Sequence, residues 1–345
     1  MDFWRDMKRF LITGGGGFLG KTIMKQLLNQ PHTQIQSLSR SHYPELTKMG
    51  IQTIQMDLCE PNMDQLVEIL RDIDVIFHVA AKAGVWGSKQ SFLSINVTGT
   101  KNLLEAAQKA GVSKFIYTSS PSAVWNGGNE MFLSEQDCPY PLDHEYLTWY
   151  PLTKAYAEKM VLEANTKTFA TTALRPHLIW GPEDPHLIPR VIERHKKLRI
   201  VGDGKNKVGL TYVENAAYAH ILAEKTLEDH TSPNAGKAYF ITDLEPVLLW
   251  DWLNQLLVEL GYPTIKKQIS STVAYRIGSL LEWIWKLCNL SGEPVMTRFV
   301  AKQLSSSHYY DLSAAKNDFG YTEKVPKEEA WHKTISYFSK HSTTV

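Results

Sequence analysis

Thr13-Gly14-Gly15-Gly16-Gly17-Phe18-Leu19-Gly20 is the stretch from which the fold of this chain can be read. An apolar run, Lys8–Thr13, leads into it, and an amphipathic helical pattern over Phe18–Gln30 leads out. Leu19, Ile23 and Leu27 recur at four-residue spacing, as a helix packed on a sheet requires. Two glycine spacings fit, Gly15-x-Gly17-x-x-Gly20 and Gly14-x-x-Gly17-x-x-Gly20. Glycine permits the tight turn and lets main-chain N–H groups close on a pyrophosphate, and the start of the helix adds partial positive charge. Glycines alone would be a flexible loop; strand, glycine turn and helix together point to a dinucleotide phosphate site.

Outward from this turn the alternation continues. Gln34–Ser39, Ile51–Met56, Val75–Ala80, Lys114–Ser119, Ala170–Leu174 and Ala238–Thr242 are further strand candidates, and Asn96–Ala110 reads as a helix closed by Gly111. This predicts an α/β chain with a Rossmann-type, doubly wound parallel sheet. After Pro176 the pattern changes: Gly181-Pro182, Pro185 and Pro189 mark a loop-rich departure. A mainly helical segment, about Leu248 to Gln303, carries Trp250, Trp252, Trp283 and Trp285. The expected division is a dinucleotide-binding domain over 1–176, completed by about 208–245. A smaller helical substrate-binding lobe takes 177–207 and 246–305, and a C-terminal tail takes 306–345.

Composition excludes more than it selects. With 345 residues the chain can bury a large core; 43% hydrophobic and 21% charged residues are ordinary for a soluble protein. A formal net charge of +1 argues against nucleic acid as a partner. Cys59, Cys138 and Cys288 are too few and too scattered for a disulfide framework or a metal site, so no metal and a reducing cytoplasm are expected. Residues 1–10 have no apolar core of a secretory leader. No 18-residue apolar run exists; the nearest, Ala274 to Leu290, is broken by Arg276, Glu282 and Lys286. A contact of this 274–290 helix with a membrane surface stays open.

The end of the second strand chooses between nucleotides. An acidic residue there would bind the ribose hydroxyls and repel a 2′-phosphate. The chain has Ser39-Arg40-Ser41-His42 instead. Arg40 can pair with a phosphate and stack on adenine, so NADP(H) is expected over NAD(H); the alternative is a solvated surface arginine. Asp57-Leu58, past the third strand, is placed to meet adenine, or Asp57 caps a helix.

Tyr150-Pro151-Leu152-Thr153-Lys154 puts a phenol and an ammonium four apart, on one helix face. A nearby cation lowers a phenol's pKa from about 10, which would let Tyr150 give its proton to a carbonyl oxygen as hydride reaches the carbon. Upstream, Tyr117-Thr118-Ser119-Ser120 ends a strand. A hydroxyl there can hold the same carbonyl oxygen, Ser120 first and Ser119 as its rival. Asn96 either supports the lysine or caps a helix.

These motifs, with His78-Val79-Ala80-Ala81, Asn96-Val97 and Arg175-Pro176 leading to Gly181-Pro182, fall in the order of the extended short-chain dehydrogenase/reductase family. The chain resembles that family over nearly its whole length. Within it, Ala80–Gly87, Ser119–Ser122, Arg175–Pro182 and Asp184–Arg190 resemble the 3β-hydroxysteroid dehydrogenase branch, and particularly its 2-alkyl-3-oxoalkanoate reductases. The resemblance implies a catalytic triad of Ser120, Tyr150 and Lys154. It implies a nicotinamide cofactor held by Gly14, Gly15, Gly17, Phe18, Leu19, Gly20, Arg40, Asp57 and Leu58. Ala80, Ala81 and Lys82 would serve the adenosine side, Asn96 the lysine, and Pro176 and His177 the nicotinamide. Trp125 stands where relatives often carry a smaller residue, so the pocket's shape is expected to differ. The implied reaction is reduction of a lipid-like 3-oxo acid; dehydrogenation of a 3β-hydroxysteroid or sterol 4-carboxylate is a second reading, and a sugar-nucleotide epimerase a third. The first two share a carboxylate β to the reacting carbonyl, for which Lys82, His177, His186 and Arg190 are candidate partners. By the same analogy the protein is expected to be a homodimer.

Overall fold

The structure is a computed structural model and describes residues 7–341. Residues 1–6, on which most of the leader expectation rests, and residues 342–345 of the expected tail lie outside the described residues.

Seven strands form the main sheet: β1 Lys8–Thr13, β2 Thr33–Ser39, β3 Gln52–Gln55, β4 Val75–His78, β5 Lys114–Thr118, β6 Ala170–Pro176 and β7 Ala238–Ile241. All are parallel, in the order β7-β6-β5-β4-β1-β2-β3. The chain winds one way from β1 to β3 and the other way from β4 to β7. A cleft therefore opens at the carboxyl ends of β1 and β4, where ligands bind in such sheets. Every residue of β4 and β6 is buried, as strands covered on both faces must be.

Besides the short helical turns Pro44–Lys48 and Lys89–Phe92, the helices are α1 Phe18–Leu27, α2 Met63–Leu70, α3 Gly99–Ala110, α4 Trp149–Glu163, α5 Leu187–Arg194, α6 Val213–Thr226, α7 Leu249–Glu259, α8 Ser271–Leu287, α9 Arg298–Gln303, α10 Ser313–Phe319 and α11 Lys327–His341. Alternate residues of β1 divide between two cores. Phe10 and Ile12 join α1 and α6 on one face, while Leu11 joins α2, α3 and α4 on the other; the period of two along a strand dictates this.

The lobe beyond the sheet carries α7, α8 and α9. Trp250 and Trp252 are core residues, and Trp180, Trp252 and Trp331 pack edge to face. Trp283 of α8 instead faces outward. A second sheet of four short strands runs Val247–Leu248, Lys207–Val208, His308–Tyr310, Glu130–Leu133. Its third strand comes from the segment expected to be a tail, and it brings His308 and Tyr310 into the cleft wall. Helices α10 and α11 follow; α10 packs on α6 and β7. No helix among the described residues is long and apolar enough to cross a membrane.

Candidate active site

The glycine turn closes on the end of β4. Gly14 has φ +70°, and a Cβ there would lie 2.9 Å from the main chain of Ala80. A Cβ on Gly20 would lie 2.4 Å from the Gly14 carbonyl oxygen, so neither position admits a side chain. Beneath the turn His78 ties three elements together: Nδ1 meets Thr13 Oγ1 at 2.7 Å and Nε2 meets Thr100 Oγ1 at 2.9 Å. Burial pushes this imidazole down to about 3, so it is neutral and structural. Gly15 packs on Ser37 and Met24, behind the cleft rather than in it.

A cavity of about 730 Å³ runs from this turn into the lobe. Gly14, Gly17, Phe18, Leu19, Gly20, Arg40, Asp57, Leu58, Ala80 and Ala81 line one end. Ser120, Tyr150, Lys154, Pro176 and His177 line the middle, and His186 and Arg190 the lobe wall. Residues from eight separate stretches of chain therefore meet in one cleft. Asp57 Oδ1 accepts from Cys59 N at 2.9 Å; that bond holds its carboxyl below the usual range. No ion pair engages Arg40 among the described residues.

Helix α4 presents Tyr150 and Lys154 one turn apart. The Ser120 hydroxyl accepts from Ser122 Oγ at 2.9 Å and lines the cavity with the Tyr150 phenol, whose pKa it pulls down. Ser119 is buried, and its hydroxyl has no hydrogen-bond partner among the described residues. Lys154 is almost fully buried; its Nζ donates to the Thr118 carbonyl oxygen at 2.5 Å and lies 4.2 Å above the Tyr117 ring. Burial brings its pKa down to about 7, opposed by Glu158 one turn further along α4. Glu158 is gripped by Arg175, Nη2 to Oε1 2.7 Å, and by the Tyr140 hydroxyl at 2.5 Å. Burial pushes the Tyr150 pKa up, and Ser120 offsets only part of this. Lys154 directs its Nζ at Thr118 O and the Tyr117 ring, and burial and Ser120 are what shift the Tyr150 phenol in this geometry.

Two other expectations change. Lys82 does not line the cavity; its Nζ sits 5.2 Å over the Phe92 ring. Asn96 lies behind the wall inside a π-helical turn, Leu93–Thr98, which precedes α3. Its side chain accepts from Lys82 N at 2.7 Å and donates to Thr153 Oγ1 at 3.0 Å. It thus joins the 80–88 loop to α4 rather than touching a ligand. His177 is buried, and its Nδ1 gives a proton to Gly209 O at 2.5 Å. Burial, helped by neighbouring His308, holds its pKa well below normal, so it offers a neutral imidazole and no cation for a carboxylate. Sequence reasoning missed His308, Tyr310 and Glu293, which also line the cavity. His308 and Tyr310 come from the short second sheet, and no local motif marks them.

The chain matches the model of the 3-beta hydroxysteroid dehydrogenase/isomerase family over residues 11–270. It belongs to that family. Two relatives are named 2-alkyl-3-oxoalkanoate reductase. The protein of Stenotrophomonas maltophilia (strain K279a) is 44% identical over 324 residues, 93% of this chain and 96% of that protein. The Shewanella oneidensis protein is 43% identical over 327 residues, 92% of this chain and 83% of that one. The mouse sterol-4-alpha-carboxylate 3-dehydrogenase, decarboxylating, is 33% identical over 338 residues, 96% of this chain and 91% of that enzyme. Among solved structures, UDP-glucuronic acid 4-epimerase from Bacillus cereus with NAD superposes with TM-score 0.71 at 22% identity, covering 96% of this chain and 99% of that one. MoeE5 with UDP-glucose and NAD gives 0.72 at 24%, covering 97% and 100%. At those identities the likeness is one of fold.

As a member of the 3-beta hydroxysteroid dehydrogenase/isomerase family, this protein is a nicotinamide-dependent oxidoreductase acting on CH–OH groups. Its residues fit such a cofactor. The glycine cradle leaves room where a Cβ would collide, Arg40 at the far end makes no ion pair among the described residues, and the cleft passes directly from the cradle to Tyr150.

Proposed function

We propose that this protein uses NADPH to reduce a lipid-like 3-oxo acid, a 2-alkyl-3-oxoalkanoate, to the 3-hydroxy acid. The observation that carries this reading is that Ser120, Tyr150 and Lys154 line one cavity whose lobe end is walled by apolar side chains such as Val191, Leu198, Phe299 and Leu304. The relatives named 2-alkyl-3-oxoalkanoate reductase support it. Bound nicotinamide supplies the hydride. Ser120 then holds the substrate's carbonyl oxygen, and Tyr150 Oη gives that oxygen its proton. Lys154, one turn away and oriented by Thr118 O, binds and orients from beneath. Reduction also preserves the acid, because a β-keto acid left oxidised tends to lose CO2. Arg40, at the end of β2, is the residue we assign to the 2′-phosphate.

A 33% identical sterol dehydrogenase keeps oxidation of a sterol 4-carboxylate as a second reading. NADPH oxidation against a 2-alkyl-3-oxoacid, a 3-ketosteroid and a UDP-sugar separates them. The reading predicts turnover fastest with the oxoacid and negligible with the sugar. Faster steroid turnover would overturn the substrate assignment.

A lipid substrate also suggests where the protein meets it. Val273, Ile277, Leu280, Trp283 and Leu287 of α8 share one face and are exposed, Leu287 by 67%. Val295, which lines the cavity, is exposed as well. We assign this face to a membrane surface from which the substrate enters.

A further inference from the structure

Arg190 of α5 and Glu293, in the loop between α8 and α9, meet in the cavity wall with Nη2–Oε2 2.9 Å. Glu293 also reaches the opposite side. Its Oε1 would lie 3.0 Å from a Cβ on Gly84, which has φ +99° and lines the cavity in the 80–88 loop. One carboxylate therefore spans the lobe and the dinucleotide domain.

The other cations of the cavity hold no carboxylate among the described residues. Lys154 is bonded to Thr118 O, Arg194 points at the Val295 carbonyl at 3.5 Å, and Arg40 stands at the end of β2. His177 is neutral, with its Nδ1 proton on Gly209 O. An acid group entering the lobe end meets the two guanidiniums of α5, and of these Arg190 is the one that already holds a carboxylate. That pair is partly exposed, 46% and 26% for the two side chains, and such pairs exchange readily.

We propose that Glu293 is an internal stand-in for the substrate's carboxylate. The acid group of the incoming ketone takes Glu293's place on Arg190 and frees Glu293 from the wall. This rests on the reading of a carboxylate-bearing ketone and extends it, by assigning selection between acids and neutral ketones to a competition on Arg190. The cofactor's pyrophosphate is the other anion that could claim the same guanidinium, so the test separates the two.

The full chain is assayed with a freshly prepared 2-alkyl-3-oxoacid and with its methyl ester, and NADPH affinity is measured separately by fluorescence titration. Arg190→Met should raise KM for the acid roughly tenfold or more, with KM for the ester and Kd for NADPH within about twofold of wild type. Glu293→Gln should lower KM for the acid and leave the ester unchanged. Equal effects on acid and ester overturn the exchange. So does a shift confined to the NADPH Kd, which would give Arg190 to the pyrophosphate. The unchanged ester serves as the folding control. A wild-type protein that reduces neither ketone overturns the substrate reading and this exchange with it; one that reduces both, with variants altering both alike, overturns the exchange alone.

Discussion

A lysine removed from water holds its proton poorly unless a carboxylate compensates. Lys154 has Glu158 one turn away, but Arg175 already claims that carboxylate, and the ammonium settles at about 7. Tyr150 beside it stays a protonated phenol, the form needed to donate in the reductive direction. At the other end of the cleft Arg40 carries the choice of cofactor. Arg40→Ala should raise KM for NADPH roughly tenfold or more while that for NADH changes little, because only the 2′-phosphate would lose its partner. An unchanged ratio of the two constants would remove Arg40 from this role. At this scale much was legible. The glycines, Ser120, Tyr150 and Lys154 sit in local patterns whose spacing has a mechanical reason. The contacts of Lys82, Asn96 and His177 were not legible, because they depend on which way a side chain turns: onto Phe92, onto Thr153, onto Gly209. Spacing along the chain carries no information about that.

Elements with a long period were legible too. Helix α1 begins at Phe18 as its apolar spacing predicts and ends at Leu27, three residues before Gln30. Helix α3 starts at Gly99 rather than Asn96 because the π turn Leu93–Thr98 occupies its expected first turn. The second sheet could not be read. Its strands are two to four residues long and come from four distant segments, too short for alternation to register. Helix α8 offers a test at this scale. Its buried face carries Ala274, Gly278 and Glu282, and a Cβ on Gly278 would lie 2.5 Å from the Thr297 carbonyl carbon. The opposite face is exposed, with Ile277, Leu280, Trp283 and Leu287 around Arg276, so charges there should leave the fold intact. Wild-type protein should co-sediment with anionic phospholipid vesicles, and Leu280→Glu with Trp283→Glu should stay in the supernatant. Wild type remaining in the supernatant would refute the membrane contact.

For the whole molecule, the reversal of winding between β1 and β4 opens the cleft, and the lobe roofs it. Arg190, Glu293, His308 and Phe299 reach the cleft from segments far apart in sequence, so the cavity's shape is a property of the complete chain. The chemistry, by contrast, concentrates on α4 and the end of β5. Those two elements meet at Ser120 and Tyr150, and Asn96 pins α4 to the loop beyond β4. The central claim is that the Tyr150 phenol delivers the proton. NADPH oxidation with the preferred ketone, measured for wild type and Tyr150→Phe alongside NADPH binding, tests it most directly. The account predicts that turnover falls roughly 10²-fold or more while NADPH still binds as in wild type. Turnover of Tyr150→Phe at the wild-type rate would contradict it.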